Sequence, residues 1–128
     1  MKEPVWLTIQ LVVAFHAEQL KLFGGPEGVR DEDMLASALG RPQNKFAYED
    51  VDLADLAAAY AFGIAKNHPF VDGNKRAALL AIVVFLGLNG VDFIADNAEA
   101  AVMIRDLAAG DVAEEGLARW IRDTLARI

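Results

Sequence analysis

The sequence contains no cysteine, which excludes disulfides and thiolate metal sites and is compatible with a cytoplasmic location. It has no Pro/Gly/Ser-rich linker, no internal repeat and no low-complexity tract, so the 128 residues are expected to form one domain around one core. No apolar run is long enough to span a bilayer: residues 77–88 are uninterrupted, but a membrane helix needs roughly 20 residues. The apolar stretch 1–15 is broken by Glu3, Thr8 and Gln10 and is followed by no small-residue cleavage site, so no signal peptide is expected. A basic excess is missing too. The formal charge is −7, and an acidic surface repels phosphate backbones, which argues against generic nucleic-acid binding. The 55% hydrophobic share, much of it alanine, is a slight pointer to an apolar surface meant for a partner.

Helical patterning covers almost the whole chain. Thr8 is placed to cap a helix over residues 9–22, with Ile9, Val12, Val13, His16, Leu20 and Phe23 on one side and Gly24-Gly25-Pro26 as its terminator. His16 therefore reads as a satisfied, partly buried histidine. Asp31 can cap a short second helix to Leu39, stopped by Gly40 and Pro42. Asp52 and Asp55 have the spacing of a capping box for a third helix over residues 53–66, and residues 74–88 make a fourth, closed by Asn89-Gly90. Residues 91–94 read as a short extended stretch. Asp96-x-x-Glu99 and Asp111-x-x-Glu114 then look like caps for two last helices, ending near Leu107 and the C-terminus. The expected fold is a compact all-α domain of about six helices.

Between the third and fourth helices lies His68-Pro69-Phe70-Val71-Asp72-Gly73-Asn74-Lys75-Arg76. Pro69 biases His68 away from helical dihedrals, so the third helix ends near Asn67 and the segment is a loop feeding a helix N-terminus. Unpaired N–H groups and the helix dipole favour anions there, and Gly73 lets a ligand approach the backbone. Lys66, Lys75 and Arg76 against Asp72 alone make a basic patch in an acidic protein. Scattered lysines are usually solvated, but beside a glycine turn and a histidine these point to anion binding. His68, outside any apolar pattern, suits a general base better than a core position. Phe70 reads as an anchor for the loop, and Asp72 is placed to cap the fourth helix. Asn74, Lys75 and Arg76 offer neutral and charge-assisted donors, with Arg76 a planar fork and Lys75 a point charge.

This segment resembles the active-site motif of the Fic/Doc (Fido) family, HxFx(D/E)GN(G/K)R, with every required position filled. Lys75 is similar to the Doc branch, toxins of bacterial toxin–antitoxin pairs. The flank from Gly28-Val29-Arg30-Asp31 through Ala38-Leu39-Gly40-Arg41-Pro42-Gln43, with Phe46 and Tyr48, resembles the same branch, so the likeness spans most of the chain.

The resemblance implies a Mg²⁺–ATP-dependent phosphotransferase that modifies a hydroxyl on a translation protein, with elongation factor Tu as the implied target. On this reading Asp72 binds Mg²⁺ on the nucleotide phosphates, a mode usual for this ion. Gly73, Asn74, Lys75 and Arg76 surround phosphate, and His68 accepts the hydroxyl proton. Lys66 loosely matches a basic residue associated with phosphate contact; a favourable charge at a helix C-terminus is its other reading. Residues 41–51 align with the flap that binds target polypeptide in the family, the alternative being a plain surface connection.

Two departures separate the chain from the adenylylating Fic pattern: Lys75 stands where those enzymes carry Gly, and Leu79 where they usually carry a second Arg. In the Doc branch this is taken to present the γ-phosphate rather than the α-phosphate. A Fic-type adenylyltransferase and a non-enzymatic helical binding module are the alternatives. The chain also lacks the family's inhibitory (S/T)xxxE(G/N) pattern, since Glu115-Gly116 follows Asp111 where Ser or Thr is needed. That implies restraint by a separate antitoxin, whose disordered tail folds as a helix into a groove.

Overall fold

The computed structural model describes residues 1–127 and carries six helices among them: α1 (Ile9–Phe23), α2 (Glu32–Tyr48), α3 (Leu53–Asn67), α4 (Asn74–Leu88), α5 (Asn97–Ala109) and α6 (Glu114–Ala126). Short polar side chains set most of the starts. Thr8 accepts the Leu11 N–H, Asp31 that of Met34 and Asp96 that of Glu99, while Asp52 and Asp55 form a reciprocal capping box.

Alanine-rich α3 is the axis of the fold. Ten of its residues are buried, and α2, α4, α5 and α6 all pack on it. Its small side chains let four neighbours close around one helix. The apolar run of α4 is a core helix on one side only: Ala78, Ala81, Ile82, Phe85 and Leu86 are buried, whereas Val83 and Leu88 reach solvent. No helix among the described residues is long and apolar enough to cross a membrane.

Two sequence expectations are corrected. Helix α2 does not stop at Gly40 and Pro42 but runs on to Tyr48. Proline in a helix interior removes one backbone donor. Contacts around and beyond it offset that loss: Pro42 is itself buried, Arg41 and Lys45 bond Glu114, and Phe46 packs edge-on against Trp6 with ring centroids 5.6 Å apart. Most of the expected flap over residues 41–51 is therefore helix, and only residues 49–52 connect α2 to α3. The second correction concerns α6, which begins after Ala113 with no side-chain cap. The Glu114 carboxylate is turned inward, 2.7 Å from Lys45 Nζ, and is unavailable to close a capping box with Asp111. Residues 91–94 pair with no strand among the described residues; Phe93 is buried against Trp120 and Ile94 is exposed.

Candidate active site

The motif turns the chain from the C-terminus of α3 to the N-terminus of α4. His68 ends α3 in the left-handed region, at φ 48° and ψ 54°, the only non-glycine residue with positive φ among those described. Glycine usually fills such a position, and another residue is held there at a cost of about 1–2 kcal/mol. Pro69 disfavours the right-handed alternative. The guanidinium of Arg30 holds the result in place, with Nε donating to the His68 carbonyl at 2.9 Å and Nη2 to that of Asn67 at 3.1 Å. These are α3 carbonyls with no helical partner, so Arg30 caps the helix in trans.

The next residues are braced by the segment before α2. The Pro69 carbonyl accepts the N–H groups of Arg30 and Asp31 at 2.7 and 3.1 Å, Val71 donates to Gly28 O at 3.1 Å, and Val29 and Phe70 form an antiparallel bridge. Phe70 is fully buried and stacks on the His16 ring, centroids 3.7 Å apart. Asn74 is buried as well. Its side-chain oxygen accepts the Phe70 N–H and its amide donates to Phe70 O, which leaves any anion contact from this residue to its backbone N–H. The same amide faces His68 Nδ1 at 3.4 Å, longer than an ordinary N–H···N hydrogen bond.

The remaining motif side chains point outward. His68, Asp72, Lys75 and Arg76 are exposed around an open concavity of about 490 Å³ lined by His68, Val71, Asp72, Gly73, Asn74, Lys75 and Arg76. Asp72, placed by sequence to cap α4, makes no cap: Gly73 is the N-cap, at φ 76°, and no side chain bonds the first turn. Among the described residues Asp72, Lys75 and Arg76 enter no salt bridge. The concavity thus joins an uncapped helix N-terminus, two cations and one carboxylate outside any ion pair, and an exposed imidazole, which is the chemistry that binds phosphate. The Arg76 guanidinium lies over the Phe23 ring, 4.8 Å from its centroid, so the end of α1 borders the site. Gly25, at φ 117° where glycine is favoured, carries the loop after α1 close past the Asp72 carboxylate.

Lys66 does not join this group. Its ammonium sits 3.5 Å from the Ala108 carbonyl, at the end of α5. It borders a separate concavity of about 400 Å³ between α2, α3 and α6, which Arg41, Lys45, Phe62 and Glu114 also line. There Glu114 is buried and holds both Arg41 and Lys45. Burial works against the Lys45 charge, but the Glu114 hydrogen bond and the charges of Glu114, Glu49 and Glu115 outweigh it and hold the ammonium above the ordinary lysine value.

A metal would have to take most of its ligands from a bound phosphate and water, because no group of three or more His, Cys, Asp or Glu side chains converges among the described residues. One exposed carboxylate beside a helix N-terminus and two cations would fit Mg²⁺ carried by a nucleotide and does not fit a metal bound by protein alone.

Residues 6–86 match the family model described as the Fic/DOC family, a span that includes the whole motif and its braces. The chain belongs to the Fic/Doc family. It is 34% identical to "Protein kinase doc" of Escherichia phage P1 over 118 residues, covering 91% of this chain and 90% of that protein. It is also 42% identical over 102 residues to "Toxin Doc" of Mycolicibacterium smegmatis, covering 73% of this chain and 78% of the relative. Within this Fic/Doc chain, the sequence alone missed His16 and Arg30 as builders of the site. The signal for His16 was its apolar setting: a buried imidazole must find a polar partner. Arg30 stood in the flank that resembles the family, without a role.

Proposed function

We propose that this chain is a Doc-type toxin, an enzyme that transfers the γ-phosphate of Mg²⁺–ATP to a hydroxyl of a protein of the translation machinery, elongation factor Tu being the reading we favour. The observation that carries the proposal is the meeting of exposed His68 with the uncapped N-terminus of α4 and the unpaired Asp72, Lys75 and Arg76. The phage relative named as a protein kinase and the mycobacterial relative named as a toxin support the same reading.

Each residue has a task of its own. The first-turn N–H groups of α4, Lys75 and Arg76 hold the phosphate oxygens and stabilise charge that spreads over them during transfer. Asp72 would hold Mg²⁺, which when bound would neutralise phosphate charge. His68 accepts the proton of the target hydroxyl as its oxygen bonds the terminal phosphorus and the bond from that phosphorus to the leaving ADP breaks. Lys75, bulkier than the Gly of adenylylating relatives, and Leu79, in place of a second arginine, favour the orientation that brings the γ-phosphate nearest His68.

A separate antitoxin is the partner this reading requires, with the cytoplasm as the place of action. Leu22 and Phe23 expose large apolar surface at the rim of the site and suit the apolar face of a folding tail. Incubation of the protein and its target with ATP labelled at the γ- or the α-position tests the reaction. Transfer of γ-label with a phosphate mass increment is expected. Transfer of α-label with the mass of the whole nucleotide monophosphate would instead make the enzyme an adenylyltransferase, and nucleotide binding without any transfer would leave a binding module.

A further inference from the structure

We propose that His16 is a positioning residue of the motif, fixing through its Nε2 proton the peptide that joins Asp72 to Gly73. The inference rests on the phosphate-binding reading of that loop and deepens it. His16 lies on α1, more than fifty residues from the motif in sequence, and is almost fully buried with 3% of its surface exposed. Its ring stacks on Phe70 with an interplanar angle of 12°, and Nε2 lies 2.7 Å from the Asp72 carbonyl oxygen. A carbonyl can only accept, so Nε2 must carry the hydrogen.

The bonded peptide is the hinge of the site. Asp72 precedes it with the carboxylate assigned to metal. Gly73 follows it in the left-handed conformation that starts α4, with its own carbonyl accepting the first helical bond from Ala77 at 2.9 Å. The bond fixes the peptide plane that links the residue bearing the carboxylate to the residue that starts the helix. The imidazole also lies directly against the turn: a Cβ on Gly73 would sit in van der Waals contact with it, 3.4 Å from Nε2. Asn74 clamps the Phe70 side of the loop and His16 clamps the Asp72 side, so the exposed segment between them has little freedom.

Two substitutions separate the stack on Phe70 from the bond to Asp72. His16→Phe keeps the ring and the stack but has no donor; His16→Gln loses the ring but places an amide donor near the position of Nε2. Calorimetry with ATP, with and without Mg²⁺, is expected to show the Mg²⁺-dependent gain in affinity falling about tenfold in His16→Phe and mostly recovering in His16→Gln. A His16→Phe variant with wild-type metal dependence overturns the proposal. A second readout needs no nucleotide: long-range ¹H–¹⁵N spectra of the wild-type histidines should place a proton on His16 Nε2, and the Gly73 amide resonance should shift in His16→Phe and return in His16→Gln. A bare Nε2, or an unmoved Gly73 resonance in His16→Phe, also overturns it. Wild-type protein that binds no Mg²⁺–ATP at all would sink the proposed function, while these spectra would still decide the role of His16.

Discussion

Asn74 clamps Phe70 at both ends: its side-chain oxygen accepts the Phe70 N–H at 2.9 Å and its amide donates to the Phe70 carbonyl at 3.0 Å. One side chain thus satisfies two buried backbone groups that no helix or sheet supplies, and the loop keeps its shape because the anchor ring between them cannot turn. Asn74→Ala should leave both groups unpaired and destabilise the protein by about 2–4 kcal/mol, read as a lower midpoint in urea unfolding. A midpoint unchanged from wild type would mean that the loop holds without the clamp.

The left-handed conformation of His68 sets activity against stability. His68→Ala removes the proposed base but stays in the same region, so the rate of target modification should fall about 10²- to 10⁴-fold with little change in unfolding free energy. His68→Gly should be equally inactive yet about 1 kcal/mol more stable, since glycine bears no penalty at positive φ. Growth arrest by His68→Ala as severe as wild type, without antitoxin, would remove the catalytic role.

Asp72 and Arg76 face the same concavity but should fail differently. Asp72→Ala is expected to lose the Mg²⁺-dependent part of ATP binding, whereas Arg76→Ala should weaken binding with or without metal. Calorimetric titration distinguishes them. Retained metal dependence in Asp72→Ala would take the carboxylate out of the metal site, and the structure already takes it out of capping α4.

Acid should erode one specific tie between α3 and α6. The Arg122 guanidinium bonds the Asp52 carboxylate at 2.8 Å and, outweighing burial and aided by Asp55, holds its pKa down at about 2. An unfolded Asp titrates near 3.9, so the folded state gains stability above about pH 4 and loses it as pH falls toward 2. Both side chains are about half exposed, which limits the gain to under about 1 kcal/mol. Arg122→Ala should therefore be less stable than wild type at neutral pH, with the difference fading by about pH 2 in denaturant titrations.

Antitoxin binding should be visible where the apolar surface meets the site. Hydrogen exchange on the free and bound protein is expected to show new protection at the end of α1, around Leu22 and Phe23, and across the start of α4. Full inhibition by a partner that protects neither segment would place the groove elsewhere.

Residues 68–76 carry the helix break, the anion-favouring turn and the motif of the family likeness, because each is a property of neighbours in the chain. The caps at Thr8, Asp31, Asp52 and Asp96 were legible for the same reason: a side chain three residues from the N–H it accepts needs nothing distant. Tertiary structure decided what depended on groups far apart. Glu114 drew Arg41 and Lys45 to itself across 73 and 69 positions, which helped carry α2 through Pro42 and stripped α6 of its expected cap. Arg30 and His16 reached the loop from 38 and 56 positions away. Local pattern told which residues could bind phosphate; only packing could bring the imidazole of α1 under Gly73 and send Lys66 to another groove, because a buried polar group takes whatever partner the folded core puts within 3 Å or so.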